Sequence, residues 1–137
     1  MRKITKTLIA ILLIAVLSMT SVTTFASNEE ISSRLSHANS ANFSFAATAN
    51  GGYFDVTYYG YDSLVRADLT VKIEKQFLFF FWTEVATWSA SNTDIDGDFY
   101  DIIPLTGSGI YRATFTLTIT GNDGTVDTIP FEIESRY

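Results

Sequence analysis

An acidic stretch at residues 92–98, with the sequence N-T-D-I-D-G-D, has the residue types and spacing of a cation-binding loop. Side chains on alternate positions converge when such a loop curls, and carboxylate oxygens are the ligands that calcium prefers. The twelfth position of a calcium loop needs a bidentate glutamate, and Ile103 stands there instead. Calcium is therefore the candidate ion, and an ordinary acidic turn is the alternative. The candidate ligands are Asn92, Asp94, Asp96, Asp98 and Asp101.

A second group combines a carboxylate with two indoles. If side chains alternate regularly along a strand, Trp82, Glu84 and Trp88 share one face. Indole rings suit contact with sugar rings, and a pair of acids across a cleft can cleave a glycosidic bond, with Glu84 as a candidate for one of the two. This face is therefore a candidate carbohydrate site. The alternative is that Glu84 pairs with a base such as Arg66 or Lys72 on the neighbouring strand.

A third feature is the apolar run F-L-F-F-F-W at residues 77–82. Six consecutive apolar residues cannot all lie on one face of a strand. Either both faces of the strand are buried, or part of the run forms a turn with exposed rings. Exposed rings would contact a partner, a lipid surface or a second copy of the chain. The candidate binding residues from both groups are Phe79, Phe80, Phe81, Trp82, Glu84 and Trp88.

Catalysis through a nucleophile has little support in the composition. The chain has no cysteine and one histidine, His37, which lies in a polar N-terminal stretch. A serine triad would have to bring His37 into a folded site, and zinc would lack imidazole or thiolate ligands. We therefore expect a protein without catalytic activity.

The elements that position these residues are strands, because apolar positions recur with period two along most of the chain. From Val65 to Lys75 apolar and polar residues alternate, and they do so again from Tyr111 to Thr120. Gly121-Asn122-Asp123-Gly124 has the composition of a hairpin turn, and Pro130 indicates that the last strand lies at an edge. About seven short strands predict an all-β fold, an antiparallel two-sheet sandwich. A closed sheet is the alternative.

The segment L-T-G-S-G-I-Y at residues 105–111 carries a resemblance. A tyrosine six residues after a leucine, across a Gly/Ser turn, resembles the tyrosine corner of immunoglobulin-like and fibronectin type III sandwiches. The resemblance implies that the Tyr111 hydroxyl bonds a backbone group just upstream and that Trp88 is the core tryptophan. It implies a fold and transfers no functional residues. In general layout the chain also resembles small uncharacterised exported proteins of Gram-positive bacteria.

The N-terminus has the pattern of a secretory signal peptide. Three bases precede an apolar run at residues 8–17, and Thr24-Phe25-Ala26 fits a cleavage site before Ser27. We predict a signal peptide at residues 1–26, a flexible leader at 27–41 and a β-sandwich domain at 42–137. No lipid-attachment cysteine or sorting signal is present in the sequence. Retention of the apolar run as a membrane anchor is the alternative.

The net charge of the chain without the predicted signal peptide argues against nucleic acid as a partner. Three of the nine bases and none of the fifteen acids precede Ser27, which leaves six bases against fifteen acids, a net charge of −9. Such a surface repels nucleic acid.

The sequence therefore predicts a secreted, acidic, non-catalytic module that binds an extracellular protein, glycan or surface, with calcium as a candidate stabiliser. Three alternatives stay open. The first is a small carbohydrate-binding or carbohydrate-acting domain. The second is a membrane-active antagonistic protein, although membrane contact is the less favoured form of binding. The third is a subunit that polymerises by strand addition.

Overall fold

The structure, a computed structural model, describes residues 35–137. These residues form seven antiparallel strands and no helix, so no helix in this part of the chain could cross a membrane. The strands are β1 (Ala38–Thr48), β2 (Gly51–Gly60), β3 (Leu64–Phe77), β4 (Phe81–Asn92), β5 (Asp96–Ile103), β6 (Ile110–Gly121) and β7 (Val126–Arg136). The predicted signal peptide and most of the predicted leader lie outside the described residues.

The strands divide into two sheets, one with the order β1-β2-β5 and one with the order β4-β3-β6-β7. This confirms the predicted all-β, two-sheet antiparallel sandwich of about seven strands. Strand β7 lies at an edge, as Pro130 indicated, because proline has no N–H to donate to a further strand.

Strand β6 shows why the alternating sequence folds in this way. Its apolar residues lie on the inner face, and the intervening arginine and threonines face outward. Phe115 reaches across the core, with its ring centroid 5.4 Å from that of Phe43 and 6.3 Å from that of Phe54. Both partners belong to the opposite sheet, so burial of these rings, worth roughly 1.5–3 kcal/mol each, holds the two sheets together.

The folded domain begins earlier than predicted. Strand β1 starts at Ala38 and pairs with β2, so residues 38–41 belong to the sheet and not to a flexible leader. Ala38 and Ala41 are buried in the core. The polar composition of this stretch concealed the strand, because its inward positions carry small alanines that give a weak apolar pattern.

Two irregularities in the pairing of β3 with its neighbouring strands change which side chains face the core. The register shifts between Leu64 and Arg66, so Leu64 is buried, whereas Val65, the first apolar position of the predicted alternation, is exposed. A second shift lies between Ile73 and Glu74, which pair with Ala86 and Glu84 of β4. One extra residue, Val85, is thus inserted in β4 as a bulge, and the faces reverse on passing it.

The hydrogen bond predicted for the Tyr111 hydroxyl is present at the start of β6. The Tyr111 hydroxyl lies 2.8 Å from the carbonyl oxygens of Thr106 and Gly107, and the Tyr111 ring is fully buried. The hydroxyl thereby fixes the β5–β6 connection against the sheet. The expected bond to a backbone group just upstream is confirmed.

Candidate binding surface

The most exposed apolar surface in the described residues is the hairpin turn between β3 and β4. We call Phe77–Phe81 the aromatic tip. All five side chains are exposed, with between 57% and 78% of their surface accessible. Of the two alternatives for this run, the structure therefore shows the turn with exposed rings. Phe79, Phe80 and Phe81, three of the predicted binding residues, belong to this tip, and Phe77 and Leu78 extend the patch.

The backbone of the aromatic tip is unusual for its residue types. Leu78 and Phe79 have φ values of 48° and 67°, the left-handed conformation that glycine or asparagine normally supplies in a hairpin turn. A residue with a side chain pays about 1–2 kcal/mol for this conformation. The turn is closed from within. The Phe80 N–H donates to the Leu78 carbonyl at 2.8 Å, and the Gln76 amide donates to the Phe79 carbonyl at 3.0 Å.

A cation lies against Trp82 just below the tip. The Arg112 guanidinium is 4.1 Å from the Trp82 ring centroid and 3.0 Å from a carboxylate oxygen of Glu74. Lys72 approaches the same Glu74 oxygen at 3.5 Å. Glu74 is almost fully buried beneath these groups, so its ion pairs with Arg112 and Lys72 stabilise the outer face of the sheet. Trp82 is therefore covered on one ring face by Arg112.

Trp88 lies on the other face of the sheet. Its ring packs against Phe54 and Phe99, with centroids 4.8 and 6.2 Å away. The indole N–H donates to an Asp101 carboxylate oxygen at 2.8 Å. Trp88 is half-buried against the core.

The prediction that Trp82, Glu84 and Trp88 share one face is wrong. The bulge at Val85 puts Trp82 and Glu84 on the outer face, while Trp88 packs inward. Glu84 accepts a hydrogen bond from the Thr87 hydroxyl at 2.9 Å. The carbohydrate site predicted from these three residues is thus not assembled as one surface.

The acidic residues predicted to bind calcium are engaged separately. Asn92 accepts the Asp94 N–H at 3.0 Å, and Asp96 accepts the Gly60 N–H at 3.1 Å. Asp98 pairs with Thr57 within the sheet, and Asp101 bonds Trp88 on the inward side. In residues 35–137, no group of three or more His, Asp or Glu side chains is arranged to hold a metal ion. Calcium binding stays a prediction, which thermal unfolding with calcium and with a chelator would test.

Tyr58 lies beneath this acidic loop and is hydrogen-bonded to it. Its hydroxyl donates to the Asp94 carbonyl at 2.8 Å, and its pKa is raised to about 12, first by burial and then by the charges of Asp94, Asp96 and Asp98. An unfolded tyrosine ionises near pH 10, so between pH 10 and 12 the folded chain retains a proton that the unfolded chain loses. The stability that Tyr58 contributes is fully present below pH 10 and is lost as the pH rises towards 12.

We therefore expect Tyr58→Phe to lower the free energy of unfolding by about 1 kcal/mol at neutral pH, through the lost hydrogen bond. The variant should also show a shallower fall in stability between pH 10 and 12. Urea unfolding at a series of pH values measures both effects. Tyr100→Phe is the control, since Tyr100 is exposed. The assignment would be contradicted by an equally steep alkaline fall in Tyr58→Phe and the native chain.

Sequence reasoning missed the role of His37. The ring is buried, with 5% of its surface accessible, and lies between two hydroxyl groups. Its Nδ1 is 2.9 Å from Ser63 Oγ, and its Nε2 is 2.5 Å from Thr125 Oγ1. The Thr125 hydroxyl donates to Asp123, so the His37 Nε2–H donates to the Thr125 oxygen. Nothing local in the sequence signals this, because Ser63 and Thr125 are distant along the chain.

Asp123 completes this group at the surface. Its pKa is lowered chiefly by the hydrogen bonds from the Thr125 hydroxyl and N–H, with a smaller contribution from His37, 3.4 Å away. The backbone N–H groups of Ser36 and His37 donate to Asp127. The cluster thus fastens the chain before β1 to the β6–β7 hairpin.

No protein-family model matches the chain, and no curated protein or solved structure was found to match it.

Proposed function

We propose that the chain is an exported, non-catalytic binding module of the immunoglobulin-like or fibronectin-like class. Its contact surface is the aromatic tip, and its partner lies outside the cell. The single observation that carries the proposal is the exposure of five consecutive large apolar side chains at a hairpin turn. Export rests on the signal-peptide pattern of residues 1–26.

Leu78 and Phe79 adopt a left-handed backbone conformation that is costly for their residue types, which supports a binding role for the tip. Asparagine or glycine would form the same turn without the penalty of about 1–2 kcal/mol at each left-handed residue. Exposed phenylalanine and leucine also favour aggregation. A sequence that retains them gains nothing for folding, so the side chains are suited to contact with a partner.

The class and the lack of catalysis have their own support. The tyrosine corner and the arrangement of three and four strands fit the sandwich class that the sequence resembles. The chain has one histidine, and that ring is buried with both nitrogens hydrogen-bonded, so it is poorly placed to exchange protons with a substrate.

A phenyl-bearing matrix provides a defined apolar partner with which to test the contact surface. We expect the native chain to be retained on it, and Phe79→Ser/Phe80→Ser to elute much earlier, because roughly 1.5–3 kcal/mol of transfer free energy is lost per fully buried ring. Val126→Ser is the matched control, since Val126 is also exposed but lies at the opposite end of the sheet. Equal retention of the native chain and the tip variant would refute the tip as the contact surface.

A further inference from the structure

We propose that the partner of the aromatic tip is the surface of a lipid bilayer, into which the tip inserts from one side without crossing it. This inference rests on the proposed function, since it names the partner of the same surface. Four features of the tip support it: the backbone bonding, the depth, the charge distribution and a groove at its base.

The backbone bonding of the tip suits an apolar liquid. A backbone polar group that enters hydrocarbon must find its partner within the protein. The Phe80 N–H and the Leu78 carbonyl bond each other, and the Phe79 carbonyl accepts from Gln76. The Phe77–Phe81 pair closes the ladder below them. The Phe80 N–H and the carbonyls of Leu78 and Phe79 are therefore bonded within the protein, while the apolar side chains of the turn are exposed.

The depth of the tip fits one leaflet. Phe79 is two positions along the chain from each member of the Phe77–Phe81 pair, so the turn extends at most about 7 Å beyond that pair. The hydrocarbon core of a bilayer is about 30 Å thick. The tip can thus enter the boundary between headgroups and acyl chains, where aromatic rings are favoured, and cannot form a pore alone.

The charges are distributed to permit this orientation. Four of the five Lys and Arg residues in the described part of the chain lie in the half of the four-stranded sheet next to the tip, and four glutamates match them. The bases are Lys72, Lys75, Arg112 and Arg136. The aspartate-rich connections, which include Asp62, Asp94 and Asp123, lie at the other end of β3.

The distance between the tip and the aspartates at the other end of β3 determines how strongly those aspartates repel a membrane. Strand β3 has 14 residues and extends for about 45 Å. The Debye length at physiological salt is about 8 Å, so repulsion between the distant aspartates and a membrane is screened. In the four-stranded sheet, the half next to the tip has four bases and four glutamates, so binding to an uncharged membrane should depend little on salt.

A groove of about 540 Å³ at the base of the tip offers a place for a headgroup. Leu78, Phe79 and Ile110 line its apolar side, and Arg136 and Ser108 line its polar side. The Arg136 guanidinium and the Ser108 hydroxyl can each donate hydrogen bonds to the oxygens of a phosphate group. A phospholipid whose acyl chains contact the tip would thus place its phosphate beside Arg136.

Flotation with phosphatidylcholine vesicles tests the proposal. We expect the chain without its predicted signal peptide, residues 27–137, to float with the vesicles at low and at high salt. Phe79→Ser/Phe80→Ser should weaken binding at least about tenfold. Val126→Ser should bind as the native chain does, and Arg136→Gln should bind a few-fold more weakly. A vesicle-entrapped dye should not leak.

The position of Trp82 gives a second readout. In a Trp88→Phe variant Trp82 is the one remaining tryptophan, and it lies one residue beyond the tip. Its fluorescence should be quenched by lipids brominated near the headgroup end of the acyl chain more than by lipids brominated at the chain end. The melting temperature of every variant is measured first, so that loss of binding is not confused with unfolding.

The outcomes separate this inference from the proposed function. If the native chain fails to float but its retention on the phenyl matrix still depends on the tip, the bilayer is the wrong partner and the binding module stands. Tip-dependent dimers in light scattering without flotation would identify a second copy as the partner. Equal flotation of native and Phe79→Ser/Phe80→Ser chains, or dye leakage, would overturn insertion of the tip into one leaflet.

Discussion

Replacing Gly121 with alanine should lower the free energy of unfolding by about 3 kcal/mol. A methyl group at this position would overlap the imidazole ring of His37, whose position is fixed by hydrogen bonds to Ser63 and Thr125. The ring cannot move aside without breaking those bonds and exposing buried hydroxyl groups. Thermal and urea unfolding measure the loss.

Gly124 provides a matched control three residues away in the same hairpin. A methyl group there would meet no atom within 4 Å, but φ is +82°, so the cost is backbone strain alone. We expect Gly124→Ala to cost about 1–2 kcal/mol. The crowding interpretation would be refuted if Gly121→Ala cost no more than Gly124→Ala.

A double-mutant cycle identifies His37 as the cause. Each single change, Gly121→Ala and His37→Ala, should destabilise the protein, and the double variant should lose less than the sum of the two. The reason is that the alanine methyl can occupy space left by the missing ring. Additive losses would instead place the clash elsewhere.

Replacing Arg112 with leucine should cost about 2–3 kcal/mol. The guanidinium bonds the nearly buried Glu74 and stacks on Trp82, so its removal leaves a carboxylate with only Lys72 nearby and uncovers the indole. Breaking a fully buried pair by removing one partner costs about 3–5 kcal/mol, and partial exposure of this pair reduces that figure. Urea unfolding gives the stability, and Trp82 fluorescence reports the lost contact.

Arg66 supplies the comparison, because it pairs with Asp68 at 2.8 Å on an exposed part of the same sheet. Arg66→Leu should cost less than about 1 kcal/mol. Arg112→Lys should fall between the two, since it keeps the charge and loses the planar group that contacts both partners. Similar losses in Arg66→Leu and Arg112→Leu would show that burial adds nothing to the Glu74 pair.

The tip and the cluster beneath it differ in what they contribute. Arg112, Glu74 and Trp82 stabilise the outer face of the sheet, whereas the aromatic tip extends beyond it and makes few contacts with the fold. Substitutions in the tip should therefore change binding with little effect on stability. This separation makes the vesicle experiment interpretable.

Much of the fold could be predicted because its causes are local. Alternation in β6 assigns Phe115 to the core without knowledge of any partner strand, since side chains point to opposite faces in turn. The tyrosine corner depends on the short segment from Thr106 to Tyr111, and its hydrogen bonds were predicted correctly. The exposed aromatic run was recognised as a candidate surface from its composition alone.

Only the tertiary structure decided the faces of β4 and the position of His37. The bulge at Val85 arises where Glu74 and Ile73 pair with Glu84 and Ala86, and one extra residue reverses the face of everything beyond it. His37 is fixed by Ser63, Gly121 and Thr125, which approach it from distant parts of the chain. The periodicity of a sequence indicates which face of each single strand is buried. Register and long-range hydrogen bonds depend on pairs of segments that meet only in the folded chain.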